Sequence, residues 1–237
     1  MAMPKRPKPR ARARAPLSRE RALDQAMALA DSGGLDQLTM RRLAEALGVE
    51  AMSLYHHVAN KDDILDGMVD RVYAEIEPTS KAAAWKEAMQ RRAHSARAAL
   101  GRHPWAIRLM ESRTSPGPAT LGHHDAVLGC LRHAGFSIAL SGHAFSVLDS
   151  YTYGFVHTEQ NLPFQSPEET KTVAAEMMKQ FPVDQYPHLV EFAVQRVFAP
   201  GYAYGNEFSV GLELILDGLE RALLAEQASA ITSAERP

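Results

Sequence analysis

This sequence predicts an all-α protein: a small helical unit followed by a larger one. Three observations carry that expectation. Apolar residues recur at three- and four-residue spacing through most of the chain, the pattern of a helix that buries one face. Capping side chains, first-turn prolines and glycines just past the last apolar residue punctuate the pattern, because helix ends leave backbone groups that need partners. No run of apolar–polar alternation bounded by turns is long enough for a strand, and no repeat of fixed period is present.

Taken in order, helical character begins at Ser18. Leu23, Ala26, Met27 and Ala30 form a stripe at i, i+3, i+4, i+7, and Gly33-Gly34 stops it. Thr39 is placed to cap a second helix carrying Leu43, Ala44 and Leu47, which Gly48 ends in the left-handed conformation. Val49, Leu54 and Val58 continue the same small core across the turn into a third helix. Asn60, with Asp63 three residues on, opens a fourth helix that runs to about Glu75, ahead of Pro78. A fifth is expected over about 83–101 and a short sixth from His103-Pro104. The segment SRTSPGPAT is rich in helix breakers and reads as a loop. Helices over about 119–134 and 137–162 flank Gly135. Ser166-Pro167-Glu168-Glu169 combines cap, first-turn proline and third-position glutamate to start a helix reaching Gln180. The last two are expected at about 187–199 and 206–226.

Composition narrows the class. The chain has 237 residues, 46% apolar and 23% charged, which suits an ordinary globule of one or two domains with a proper core. The single Cys130 cannot form an intramolecular disulfide, so no oxidising compartment is implied; in the run AVLGCLRHAGF it reads as a small core residue rather than a nucleophile. No apolar run approaches the ~20 residues that cross a bilayer, so no membrane partner is expected. The basic N-terminus is not followed by an apolar stretch, so a secretory signal is not expected and a cytoplasmic location is. Ten histidines raise the question of a metal. His56-His57 and His123-His124 are adjacent, however, which on a helix points successive side chains about 100° apart, and His143 and His157 would lie about 21 Å apart. No HExxH or paired-cysteine motif occurs, so surface or pocket histidines are the reading, with no metal and no cofactor. A Gly-rich phosphate loop and GxSxG are also absent, and an enzyme is not expected.

The net charge of −2 conceals an asymmetry. Residues 1–61 hold eleven Lys/Arg against six Asp/Glu, and the remainder fifteen against twenty-two. A positive end on an acidic body favours a polyanion at that end alone. There, TMRRLAEALGVEAMSLYHHVANK, Thr39 to Lys61, writes two short amphipathic helices about the Gly48 turn. Ala51, Met52, Ser53, Tyr55, His56 and His57 are left off the apolar face of the second. This is the layout of a helix-turn-helix whose second helix enters a DNA major groove. Residues 1–16, with six Lys/Arg, no acid and four prolines, build no core and read as a disordered arm. Such an arm is either a solvated tail or a strand of cations that follows phosphates or the minor groove.

At this point the chain resembles the TetR family of bacterial transcriptional regulators. LTMRRLAEALGV…SLYHHVANKDDIL carries the likeness in the first part, and FSVGLELILDGL, Phe208 to Leu219, resembles the last helix of the tetracycline-repressor subfamily. The likeness spans roughly residues 18–225. It implies a disordered basic arm over 1–16, a three-helix DNA-binding domain over 17–62 and a helical effector-binding and dimerisation domain over 63–237. It implies that Ala51, Met52 and Ser53 reach base edges together with Arg41, whose fork can bond both acceptors of a guanine. Thr39, Tyr55, His56 and Lys61 then contact phosphates, and His57 is open between a DNA contact and a solvated side chain.

The subfamily binds a drug–Mg²⁺ chelate, and the resemblance can be followed residue by residue. The metal-ligand histidine falls on Met110, the acidic residue that contacts the metal's water shell near Thr158 and Glu159, the drug-binding asparagine on Arg92 and the neighbouring glutamine on Val127. All four depart from the pattern, and a thioether is a poor ligand for hard Mg²⁺. The implied effector is therefore a mostly apolar or aromatic small molecule bound without metal. Candidate pocket walls are Met89, Arg92, Trp105, Met110, Val127, Leu131, Phe145, Asp149 and Tyr153, with Arg92 and Asp149 either orienting a ligand or pairing with each other. Homodimerisation through the helices at about 137–162 and 206–226, with Gly154, Gly211 and Gly218 allowing close approach, would match a two-fold symmetric operator. The whole reading is a repressor released by its effector; the rivals are a constitutive DNA-binding regulator without an effector and, from another class, a helical enzyme.

Overall fold

The computed structural model describes residues 16–79, 84–164, 166–180, 182 and 184–234. Residues 1–15 of the basic arm expected over 1–16, and residue 83 at the start of the helix expected from about there, lie outside these. The described residues form helices and turns and no strand, so the chain is all-α. It divides into two compact units, one ending at Leu65 and the other beginning at Asp66.

The first unit is built by caps that the sequence announces. Ser18 caps α1 (Arg19–Gly33), its hydroxyl accepting from Arg21 N at 3.2 Å, and Gly34 ends it at φ 75°. A 3₁₀ turn at Leu35–Gln37 leads to Thr39, whose hydroxyl accepts from Arg42 N at 3.1 Å to start α2 (Met40–Leu47). Gly48 at φ 69° closes α2, a left-handed position that costs a side-chain-bearing residue about 1–2 kcal/mol. α3 (Ala51–Leu54) is a single turn without a side-chain cap. Ala22, Leu23, Ala26, Leu38, Leu43, Leu47, Leu54 and Val58 make the core. The start of α4 (Lys61–Ala74) is fixed within this unit: Asn60 accepts from Asp63 N at 2.9 Å, while the Asp63 carboxylate accepts from Ala59 N at 2.9 Å and from Arg19 at 2.7 Å. That hydrogen bond from Arg19 outweighs partial burial and holds the Asp63 carboxyl below its usual range.

The second unit holds the rest of α4 with α5 (Trp85–Arg102), α6 (Ala106–Met110), α7 (Pro118–His133), α8 (Ile138–Gln160), α9 (Pro167–Met178), α10 (Pro187–Phe192) and α11 (Glu207–Ala234). α8 is central and packs on α5, α7 and α11. Met89, Ala93, Val127, Leu131, Phe136, Leu148, Phe208 and Leu212 are all at most 1% exposed in this core. Gly135 at φ 96° turns the chain from α7 into α8. The Ser166 capping box starts α9 as its four-residue signal implies.

Two helices differ from their expected form. The stretch expected over 187–199 is α10 followed by a π-helical turn at Ala193–Val197, closed by Phe198 N to Ala193 O at 2.9 Å. α11 runs eight residues past the apolar stripe, because AEQASAITSA is dominated by residues that favour helix even without a buried face. Within the single chain the three glycines expected to allow close approach are not alike. Gly211 serves its own chain: a Cβ there would overlap the Tyr151 hydroxyl, which donates to Phe208 O at 2.9 Å. Gly154 has nothing within 4 Å, and Gly218 has only Arg221 at 3.9 Å.

Candidate nucleic-acid interface and effector pocket

The helix-turn-helix face lies wholly in the first unit. Leu54 and Val58 are buried and fix the roll of α3, which turns Ala51, Met52, Tyr55, His56 and His57 outward and leaves Ser53 half-buried. Met52 is 72% exposed and Tyr55 47%, so Tyr55 is not a core aromatic. Thr39 and Arg41 are exposed at the start of α2, and Lys61 is exposed in the first turn of α4. There the free N–H groups and the helix dipole add to its charge in attracting a phosphate. Arg41 Nε donates to Glu45 Oε1 at 2.9 Å, but both side chains are well exposed. Such a surface pair is worth under about 0.5 kcal/mol and yields readily to a base or phosphate. Arg42, which the pattern reading passed over, is a further exposed cation on the same turn.

In the second unit a pocket of about 210 Å³ opens between α4, α6, α7 and the loop joining α6 to α7. Its wall includes Asp66, Val69 and Tyr73 of α4, Met110 of α6, the loop from Arg113 to Gly117, and Thr120, Leu121 and His124 of α7. The loop is tied to α4 by two carboxylates one turn apart. Asp66 pairs with Arg113 Nε at 2.5 Å. Asp70 accepts from Thr120 N at 2.8 Å and from Thr120 Oγ1 at 3.0 Å, supplying the cap that Gly117 cannot give α7. A side chain on Gly117 would overlap Asp70, so the glycine is required for close approach rather than for its φ.

A buried polar cluster lies behind this pocket. Arg92 is 2% exposed, ion-pairs with Asp149 and donates from Nε to His123 Nε2 at 3.0 Å. His123 therefore accepts through Nε2 and carries its proton on Nδ1. Burial, aided by the neighbouring Arg92 and His124, pushes its pKa down to about 3. The Tyr153 hydroxyl approaches the other Asp149 oxygen at 3.4 Å, and burial followed by the Asp149 charge pushes its pKa up. Tyr73 stacks its ring against His123 at 5.2 Å and His124 at 5.3 Å, and His124 stacks edge-on against Phe145 at 5.2 Å.

Of the nine residues named from the sequence as pocket walls, Met110 lines this pocket. Phe145 and Tyr153 stand behind it, touching His124 and Tyr73. Arg92 and Asp149 are paired with each other. Met89, Val127 and Leu131 are packed in the helical core, and Trp105 is buried beside His103. Tyr73, Thr120 and His124, which line the pocket, were not named; the doubled histidine at 123–124 was the available signal, since one of an adjacent pair on a half-buried helix must differ in burial from the other. At the positions where the subsidiary resemblance looks for an acid, Thr158 donates to Gly154 O at 3.0 Å and Glu159 is held by Arg97 through both oxygens. A second hollow of about 190 Å³ lies among Glu159, Phe164, Thr170 and Tyr204. An open groove of about 710 Å³ runs between the start of α8 and the end of α11.

Comparison with known proteins agrees with both halves of this description. Residues 22–68 match the family model of bacterial regulatory proteins of the tetR family, and residues 77–223 match the tetracyclin repressor-like C-terminal domain. The HTH-type transcriptional repressor DrrR1 of Streptomyces coeruleorubidus is 31% identical over 216 residues, covering 86% of this chain and 77% of that protein. The class D tetracycline repressor protein of Escherichia coli is 30% identical, covering 88% of this chain and 92% of that protein. The solved structure of the Streptomyces coelicolor TetR family protein ActR in complex with actinorhodin superposes with a TM-score of 0.72 at 27% identity, covering 88% of this chain and 99% of that one. No helix among the described residues is long and apolar enough to cross a membrane. The chain belongs to the TetR family of bacterial transcriptional regulators, which are DNA-binding proteins and not enzymes.

Proposed function

We propose that this protein is a homodimeric transcriptional repressor that binds a two-fold symmetric operator through α3 and is released by a mostly apolar or aromatic small molecule bound without a metal. The observation that carries the effector half is that α4 forms one wall of the pocket through Asp66, Val69 and Tyr73, while its first turn carries Lys61 beside the DNA-facing residues. A ligand that favours one position of the 113–117 loop acts on α4 through Asp66 and Asp70, and it weakens DNA binding by its differential affinity for the two conformers. The ligand-bound ActR structure supports an effector in this fold. Dimerisation is supported by apolar side chains left exposed on α8 and α11: Val147 at 40%, Val210 at 52%, Leu214 at 68% and Leu224 at 59%. Packed against their two-fold mates these helices give a four-helix interface.

The test is anisotropy on a labelled duplex selected from a random pool. Two protomers should bind each duplex, with affinity falling steeply as salt rises. Failure to select any sequence, or salt-independent binding, refutes the operator reading. A thermal-shift screen of aromatic compounds, with Mg²⁺ and with chelator, tests the effector. Tight binding of a tetracycline only with Mg²⁺ would overturn the metal-free reading, and the absence of any ligand that releases DNA would leave a constitutive regulator.

A further inference from the structure

The pocket between α4, α6 and α7 holds charged groups, but their charges are already used. Asp66 is paired with Arg113, and Asp149 with Arg92 behind the wall. Asp70 is taken by the α7 N-terminus. An anionic ligand would have to displace Asp66 from Arg113, and a cationic ligand the reverse, with a partly buried charge left unpaired in either case. Uncharged ligands escape that cost.

His124 is the exception among the polar side chains of the wall. It is half-buried, its ring is clamped by Tyr73 at 5.3 Å, His123 at 5.8 Å and Phe145 at 5.2 Å, and it faces the pocket. No described residue hydrogen-bonds to either of its ring nitrogens. Burial is the largest influence on its pKa and pushes it down, so the imidazole is neutral near pH 7 and offers one acceptor nitrogen and one N–H. The rest of the wall is already supplied with donors in the Thr114 and Ser115 hydroxyls. Those two hydroxyls can also accept, but both are exposed and have water as a partner, whereas the His124 nitrogen is an acceptor on the half-buried side of the wall. A ligand hydroxyl held away from solvent is therefore served by His124.

Resting on the effector reading above, we infer that His124 selects the ligand: the pocket takes an uncharged, planar aromatic molecule whose ring hydroxyl donates to the His124 imidazole. The flat surfaces of Tyr73 and the Met110 and Val69 side chains suit a ring system, and about 210 Å³ limits it to a few fused rings.

The experiment uses the full-length protein and a matched probe pair, 2-naphthol and 2-methoxynaphthalene, which differ in whether the oxygen can donate. Affinities are read by probe fluorescence at pH 7 for wild type, His124→Leu and His124→Gln, with circular dichroism to verify the fold. Wild type should prefer 2-naphthol about fivefold to tenfold, the value of one hydrogen bond in a half-buried site. His124→Leu should bind both probes alike, and His124→Gln, which keeps an acceptor oxygen, should keep most of the preference. A preference that survives in His124→Leu, or equal binding of both probes by wild type, overturns the role of His124 while the pocket stands. Binding of neither probe to any variant overturns the pocket itself.

Discussion

Replacing Asp149 by Asn should be among the most damaging single substitutions in the second unit. Arg92 is 2% exposed and Asp149 13%. Their ion pair is completed by His123, which accepts from Arg92 Nε and is held neutral. Removing the carboxylate leaves a buried guanidinium facing an amide and a neutral imidazole, neither of which offsets its charge. Breaking such a pair from one side costs about 3–5 kcal/mol, several times the value of the exposed Arg41–Glu45 pair. Replacing both members, Arg92→Met with Asp149→Leu, removes the desolvation cost with the attraction and should fall within about 1–2 kcal/mol of wild type. Urea unfolding followed by far-UV circular dichroism measures both, at one fixed protein concentration so that any contribution from self-association is the same throughout. A loss below about 1 kcal/mol in the single variant, or a double variant as unstable as the two singles summed, would refute the view that Arg92 is neutralised internally.

Three further outcomes are expected. Tyr55→Ala should weaken binding to every duplex by about fivefold, one lost hydrogen bond, without altering the salt slope, whereas Lys61→Ala should lower that slope by about one ion in anisotropy titrations. Gly117→Ala should destabilise by about 0.5–2 kcal/mol in urea unfolding, since it expels the Asp70 cap from α7; its φ of −82° would otherwise let alanine stabilise through the unfolded chain, so a gain would disprove the close approach. Stability should fall with pH below the ordinary histidine range, because the unfolded chain binds a proton near 6.5 that folded His123 refuses until about 3. The slope from that group approaches about 1.4 kcal/mol per pH unit between those limits, and His123→Gln, which keeps an acceptor for Arg92, should flatten it.

How much of this was legible in the sequence depends on whether the controlling interaction was local. Thr39, Gly48, Asn60 and the Ser166 box act on backbone groups within a few residues, and each does in the structure what its position implies. Leu54 and Val58 fix the face of α3 by helical period alone. The pocket is different. Met89, Val127 and Leu131 carry the same apolar character whether they line a hollow or fill a core, and periodicity cannot separate the two; they fill the core. Tyr73 and His124 become neighbours only when α4 meets α7, fifty residues later in the chain. Asp70 gives no local sign of capping, because the helix it caps is not its own. The pairing of Arg92 with Asp149 was accessible as an alternative because a buried charge requires a partner, and these two were the charged candidates among the proposed walls.

The energetics of release constrain where an effector must act. A hundredfold loss of operator affinity requires the ligand to favour the non-binding conformer by about 2.7 kcal/mol. One hydrogen bond to His124 is worth about 1 kcal/mol and would be made equally in any conformer that keeps the α7 side of the pocket intact. The remainder must come from groups whose positions differ between conformers. The core beneath the pocket is a poor source, since Met89, Val127 and Leu131 are fully buried and close-packed interiors resist small displacements. The 113–117 loop is the better one. Its two attachments to α4 are the Asp66–Arg113 pair, with side chains 20% and 21% exposed, and the Asp70 cap on Thr120. Both are short polar contacts that a shift of an ångström or two would break, and both sit on the same face of α4, one turn apart. On the effector reading proposed above, a ligand wedged between Met110, the loop and Tyr73 would gain its leverage by exchanging these two attachments for its own contacts. Effector response should then track the integrity of Asp66 and Asp70 more closely than it tracks ligand affinity.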